Sequence, residues 1–289
     1  MGPTSSGKTS LSISLSKKFN GEVISADSRQ VYKGLDIGTG KVTKREMDNI
    51  PHYLIDVENP KNTFTVSGFK ELAEEAVNSI FQSGKIPIIA GGTGFYIDTL
   101  LGDTTIPEVP PNTKLRLRLE KLTVEILSKK LQKLDLKRSK TIDHLNKRRL
   151  IRAIEIASVL GKVPPIQKKQ SSYKTLKIGI ILPDEQLKTK IKSRLLARIK
   201  LGMINEARKL HKKGLSWKRM EELGLEYRYL SRHLRGKLTK AEMIEQLNTA
   251  IWQYAKRQMK WFKRDKDIEW FSPSQTKEIE RKVRRFLVE

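Results

Sequence analysis

Cysteine is absent from all 289 residues. Disulfides and cysteine-ligated zinc or iron–sulfur centres are therefore excluded, and a reducing, cytoplasmic setting is expected. Long apolar runs are absent too. None approaches the roughly 18 to 20 residues of a membrane helix, and the first residues lack the charge, apolar stretch and cleavage site of a signal peptide. Net charge is missing from one part of the chain. Residues 1–100 hold 11 Lys and Arg against 11 Asp and Glu, so the whole formal excess of +26 falls in 101–289. Two segments concentrate it: 111–152 has 14 basic and 4 acidic residues, and 187–213 has 10 and 1. So lopsided a distribution suits a polyanion larger than a nucleotide, although lysine-rich helices can also be plain solvated faces. An anionic membrane fits less well, because neither segment carries a Trp- or Phe-rich apolar face.

What is present begins at the second residue. Gly2-Pro3-Thr4-Ser5-Ser6-Gly7-Lys8-Thr9 satisfies every fixed position of the phosphate-binding pattern G-x-x-x-x-G-K-[ST]. Its glycines let backbone N–H groups converge on phosphate oxygens, and the following helix, Thr9 to about Phe19, adds its positive dipole end. Lys8 supplies a point charge, and the Thr9 hydroxyl is placed to coordinate a phosphate-bound Mg²⁺. The strand that normally precedes such a loop has no residues here, which implies a start further upstream or a fragment, and a weakly anchored loop.

Beyond it, Glu22–Ala26 reads as a strand, 67–83 as an amphipathic helix capped by Ser67, and Lys85–Ala90 as a strand starting at a sheet margin because of Pro87. The turn Gly91-Gly92-Thr93-Gly94 then opens another helix. Pro-rich 106–111 marks a boundary. After it come basic helices, including Leu145–Leu160 closed by Gly161, then a strand at Ile178–Leu182 and further Lys- and Arg-rich helices. The expected fold is α/β: a parallel sheet covered by helices, with 1–110 and 171–289 forming a P-loop core and 111–170 a basic helical insertion. Asp27, at the carboxyl end of a strand, lies where this fold class gathers its chemistry. A loop Asp is also commonly a turn residue.

A phosphate cradle alone leaves phosphoryl transfer, nucleotide hydrolysis and diphosphate departure open. Longer stretches narrow the choice. Ile24-Ser25-Ala26-Asp27-Ser28-Arg29-Gln30-Val31-Tyr32-Lys33-Gly34-Leu35-Asp36-Ile37-Gly38-Thr39-Gly40-Lys41, Pro51–Asp56, Gly91–Tyr96, Arg148-Arg149-Leu150-Ile151-Arg152-Ala153-Ile154-Glu155 and Tyr254–Phe262 resemble the tRNA dimethylallyltransferase family in order along nearly the whole chain. The resemblance implies a nucleotide-kinase-like fold whose loop, Gly2 to Thr9, holds dimethylallyl diphosphate and not ATP. The N6 amine of an adenosine beside the tRNA anticodon then attacks the allylic carbon. It implies Asp27 as the base, Thr4 beside the reacting diphosphate and Mg²⁺ at Thr9. Within Glu226-Tyr227-Arg228-Tyr229, it implies Arg228 as the arginine on the pyrophosphate side. Asp27, Ser28, Arg29, Gln30, Thr93, Arg116, Arg148, Arg149, Leu150, Ile151 and Arg152 are the implied tRNA contacts. The enzyme is expected to be a monomer without membrane attachment. Its rivals are a free-nucleotide prenyltransferase, a small-molecule kinase on the same fold and a non-catalytic RNA-binding protein. The basic excess speaks against the first two, and the intact Lys8, Thr9 and Asp27 against the last.

Overall fold

The computed structural model describes residues 1–165 and 173–289. The expected return from insertion to core, between 170 and 171, lies outside the described residues. The chain folds into two compact units, one made of Met1–Leu101 and Ser171–Glu289, the other of Gly102–Gln170.

The larger unit begins with α1 (Lys8–Lys18), β1 (Gly21–Ala26), α2 (Lys44–Met47), β2 (His52–Tyr53), α3 (Val66–Gln82), β3 (Ile86–Gly91) and α4 (Gly94–Leu100). All six residues of β1 are buried, because it is the middle strand of a parallel sheet ordered β2–β1–β3 and is covered on both faces. Pro87 lies opposite Glu22 in β3, which pairs only with β1 among the described residues. The margin position expected of that proline is therefore met. On α3, Phe69, Ala73, Ala76, Val77 and Ile80 form the buried stripe. Its N-cap is Thr65, whose hydroxyl accepts the Gly68 N–H, so Ser67 stands inside the helix and not at its cap. Thr65 keeps the extended backbone a cap needs, which Ser67 has already lost.

The smaller unit contains α5 (Thr113–Leu119), α6 (Val124–Leu134), α7 (Leu136–Thr141) and α8 (Lys147–Leu160). Leu127, Leu131, Leu150, Ile151 and Ile154 fill its core. Helix α8 starts two residues later than its apolar pattern suggests, because Asn146 caps it through the Arg149 N–H and leaves Leu145 exposed. Gly161, in left-handed conformation, ends it as expected.

The larger unit resumes with β4 (Ile178–Ile180), α9 (Asp184–Lys200), α10 (Met203–Lys212), α11 (Trp217–Leu223), α12 (Leu225–Leu234), α13 (Lys240–Phe262), β5 (Glu269–Phe271) and α14 (Thr276–Val288). Strand β4 is shorter than expected and pairs in parallel with β5, which periodicity did not reveal because three residues carry no measurable alternation. No helix among the described residues is long and apolar enough to cross a membrane.

Candidate functional site

The phosphate loop runs from the backbone of Met1 to the first turn of α1. It is anchored at two points. The Met1 nitrogen donates to the Ile178 carbonyl at 2.6 Å, and the Ile180 N–H donates to the Met1 carbonyl at 2.9 Å, so Met1 is held along β4. The Thr4 N–H donates to Gln258 Oε1 at 2.8 Å. The weak anchorage expected from sequence is thus corrected: contacts more than 170 residues away along the chain hold the loop. Gly7 has φ 97°, a left-handed value that glycine adopts at no steric cost, and caps α1 without any side chain. The first amides of the helix therefore keep no side-chain partner at the cap, the arrangement that receives an anion.

Three cations gather here. Lys8 donates from Nζ to the Pro3 carbonyl, folding back over the loop. Burial pulls its ammonium down to about 8; Asp27 works against that shift and Arg194 adds to it. Arg194, from α9, reaches Ser5 Oγ at 3.4 Å, and its own pKa is lowered by burial and by the neighbouring Arg198. Arg198 is tied to the Gly38 carbonyl at 2.7 Å and to Glu226 at 3.0 Å. Arg228, by contrast, stands half-exposed on α12 and turns to the carbonyl and carboxylate of Glu221. The structure brings Arg194, not Arg228, to the phosphate loop. Sequence reading passed over Arg194 because one more arginine in a run of basic residues carries no distinguishing signal.

A diphosphate binds the protonated form of Lys8, so above about pH 8 the free protein must take up a proton to bind it. Affinity for a diphosphate monoester, fully ionised in this range, should fall between pH 7.5 and 9.5, approaching roughly tenfold per pH unit. Titration calorimetry across the series reads the slope, and Lys8→Arg should flatten it. A flat wild type would mean that Lys8 does not titrate there.

Asp27 follows β1. Its Oδ1 accepts the N–H groups of Arg29 at 2.8 Å and Gln30 at 3.3 Å, the turn role a loop Asp often has. No hydrogen bond to Oδ2 is present among the described residues. Asp27 is nonetheless close enough to the phosphate loop to raise the Lys8 pKa. Thr93 occupies the N-cap position of α4 but caps nothing with its side chain; its Oγ1 accepts the Ser28 N–H at 3.1 Å. Tyr254, on α13, lies beside this pair. Burial and then Asp27 push its phenol up to about 12, against Arg29. The segment after Asp27 is held in part by an acid no motif advertised. Glu206 of α10 accepts the N–H groups of Asp36, Ile37 and Gly38 at 3.0, 2.7 and 2.9 Å, together with the Tyr227 hydroxyl at 2.8 Å. Buried Lys41 bonds the Tyr32 carbonyl and the carboxylates of Asp36 and Asp56.

Within the smaller unit, the expected tRNA contacts separate into three groups. Leu150 and Ile151 are core residues, 0% and 4% exposed, and present no side chain to a partner. They fall on the inner face of α8 with buried Ile154, which lies four positions beyond Leu150 and three beyond Ile151. Arg116 and Arg152 both bind the buried carboxylate of Glu155. Burial raises the Glu155 pKa, but Arg116, the Asn112 N–H and Arg152 together outweigh it and hold it at about 2. One acid thus offsets part of the charge of two arginines. Arg148 and Arg149 are exposed, with Asp143 at 3.9 Å from Arg149 as a loose neighbour.

A glycine-turned phosphate loop at a helix start, flanked by Lys8 and Arg194 beside a parallel sheet, defines an α/β protein of the P-loop class. Residues 30–265 match the family model of IPP transferase. The chain is 42% identical over 264 residues to a tRNA dimethylallyltransferase of Geotalea daltonii, covering 91% of this chain and 85% of that one. It superposes with TM-score 0.75 on a tRNA isopentenylpyrophosphate transferase of Bacillus halodurans, at 34% identity and covering 99% and 94% of the two chains. A eukaryotic dimethylallyltransferase acting on tRNA superposes at 0.79 with 27% identity, covering 94% of this chain and 72% of that one. This chain belongs to the IPP transferase family.

Proposed function

We infer that the protein transfers a dimethylallyl group from dimethylallyl diphosphate to the N6 amine of the adenosine 3′ to a tRNA anticodon, as a cytoplasmic monomer. One observation supports the reading: Lys8 over the Pro3 carbonyl and Arg194 at Ser5 Oγ flank an uncapped helix start, a cradle suited to a diphosphate, and Asp27 follows the neighbouring strand β1. The adenine amine is a weak nucleophile, because its lone pair is delocalised into the ring. As the C–N bond forms, its proton passes to the Asp27 carboxylate. The allylic C–O bond breaks with its electrons moving to the diphosphate. The loop amides, Lys8 and Arg194 meet the charge that develops there. The Thr4 N–H is engaged by Gln258, so Thr4 would act through its hydroxyl.

A Mg²⁺ fits this donor set. Thr9 is exposed at the first turn of α1, and no group of three or more Asp, Glu or His side chains suited to a metal exists among the described residues. Such an ion takes a hydroxyl from the protein and most of its oxygens from diphosphate and water. Bound there, it would neutralise charge on the departing diphosphate.

Radiolabelled dimethylallyl diphosphate and γ-labelled ATP, each incubated with and without tRNA, test the reading. Label should pass from the prenyl donor to tRNA with no ATP consumed. Stoichiometric ATP hydrolysis would instead indicate a kinase, and transfer to free AMP a nucleotide prenyltransferase. The exposed arginines give a further expected result. Arg148→Glu and Arg149→Glu should each lower tRNA affinity and flatten its salt dependence by about one unit of slope per lost phosphate contact. Filter binding over a salt series checks this. Unchanged slopes would make the basic surface a solvated face.

A further inference from the structure

Helix α13 presents Tyr254, Gln258 and Trp261 at spacings of four and three, on one face. That face lies on the Gly91–Gly94 turn. A Cβ on Gly92 would stand 2.2 Å from Gln258 Nε2, and one on Gly94 2.2 Å from Trp261 Cδ1, so only glycines let the helix approach this closely. Gln258 is buried, and its amide makes two bonds in opposite senses. Oε1 accepts the Thr4 N–H at 2.8 Å and Nε2 donates to the Gly92 carbonyl at 2.8 Å. A donor on one side and an acceptor on the other fix the orientation of the amide.

Gly92 leads directly to Thr93, whose N–H donates to Ala26 and whose hydroxyl accepts from Ser28, one residue on either side of Asp27. A continuous chain of short bonds thus runs from the phosphate loop through Gln258 and the glycine turn to the flanks of the carboxylate. We propose that Gln258 is a positioning residue, setting the separation between the diphosphate cradle and Asp27. The proposal rests on the prenyl-transfer reading above. No other side chain of that size satisfies both partners. Ionised Glu has no donor for Gly92, and Met offers neither a donor nor a comparable acceptor.

The physical consequence is a loss of reaction geometry more than of binding. Displacement of a reacting pair by about an ångström can cost roughly 10²-fold in rate. Gln258→Met, which keeps length and volume, should lower kcat by that order while leaving KM for tRNA nearly unchanged. Its effect should not multiply with that of Asp27→Ala, because a misplaced base and a missing base are the same defect. Gln258→Glu supplies a readout that mere packing would not move. Its protonated carboxyl has both a donor and an acceptor, and burial raises its pKa. The activity of this variant relative to wild type at the same pH should therefore rise several-fold from pH 8 to pH 6.

The decisive experiment measures kcat and KM of wild type, Gln258→Met, Gln258→Glu and the double variant Gln258→Met with Asp27→Ala, across that pH range and per folded molecule. A Gln258→Glu ratio that climbs as pH falls, with Met and Ala effects that do not multiply, supports the proposal. A flat ratio, fully multiplicative losses or wild-type turnover by Gln258→Met would overturn it. A wild type that transfers no prenyl group would instead sink the functional reading, and this proposal with it.

Discussion

Asp27→Asn should lower the rate of prenyl transfer roughly 10²- to 10⁴-fold while tRNA affinity stays close to wild type. Asparagine is the informative replacement because Asp27 has two separable roles. Its Oδ1 closes a turn by accepting the Arg29 and Gln30 N–H groups, and an amide oxygen can do the same. What asparagine lacks is a carboxylate able to take the proton of the adenine amine. Asp27→Ala removes both roles and should lose at least as much rate. Single-turnover prenyl transfer, with tRNA binding measured separately, distinguishes the cases. Near-normal turnover by Asp27→Asn alongside a defective Asp27→Ala would make Asp27 a turn residue only, and the proton would have to leave by another route.

The second large effect concerns the arginine that meets the leaving group. Arg194→Ala should cost roughly 10² to 10³ in kcat, the usual scale for removing one preorganised donor of developing negative charge. Arg228→Ala should change the rate little. Arg194 reaches the loop from α9, its Nη1 3.4 Å from Ser5 Oγ, and its charge helps to lower the Lys8 pKa. Arg228 spends its guanidinium on Glu221 in a half-exposed corner between α11 and α12. Arg194→Lys should recover only part of the loss, since an ammonium cannot reproduce the planar fork of a guanidinium. Steady-state kinetics with the diphosphate varied read the comparison. A large defect in Arg228→Ala with a silent Arg194→Ala would return the leaving-group role to α12.

These two predictions mark where the sequence was sufficient and where it was not. Asp27 was singled out because it ends the strand Glu22–Ala26, and the family resemblance, not that position, implied its role as the base. Arg194 was not, because it is brought to Ser5 across 189 positions and is one of ten basic residues in 187–213. Glu206 was hidden for the same reason. Its partners Asp36, Ile37 and Gly38 are backbone amides, and a backbone N–H leaves no mark in a sequence. The Thr65 cap was missed in favour of Ser67 because both are good capping residues and only the backbone conformation separates them.

The sequence by itself determined the phosphate loop, the strand and helix that follow it, the amphipathic stripe of α3, and the confinement of excess charge to 101–289. All of these are local or compositional: spacing along the chain states them directly. Tertiary structure alone decided which basic residues act as what. Leu150 and Ile151 turn inward on α8, Arg116 and Arg152 close on Glu155, and Arg148 and Arg149 stay outside. It also decided that Gln258 joins Thr4 to Gly92 across 254 and 166 positions. The physical reason is the same in each case. A charge or an amide acquires its role from what lies within about 3 to 4 Å of it, and neighbours at that range are set by packing, which the order of residues along the chain does not display.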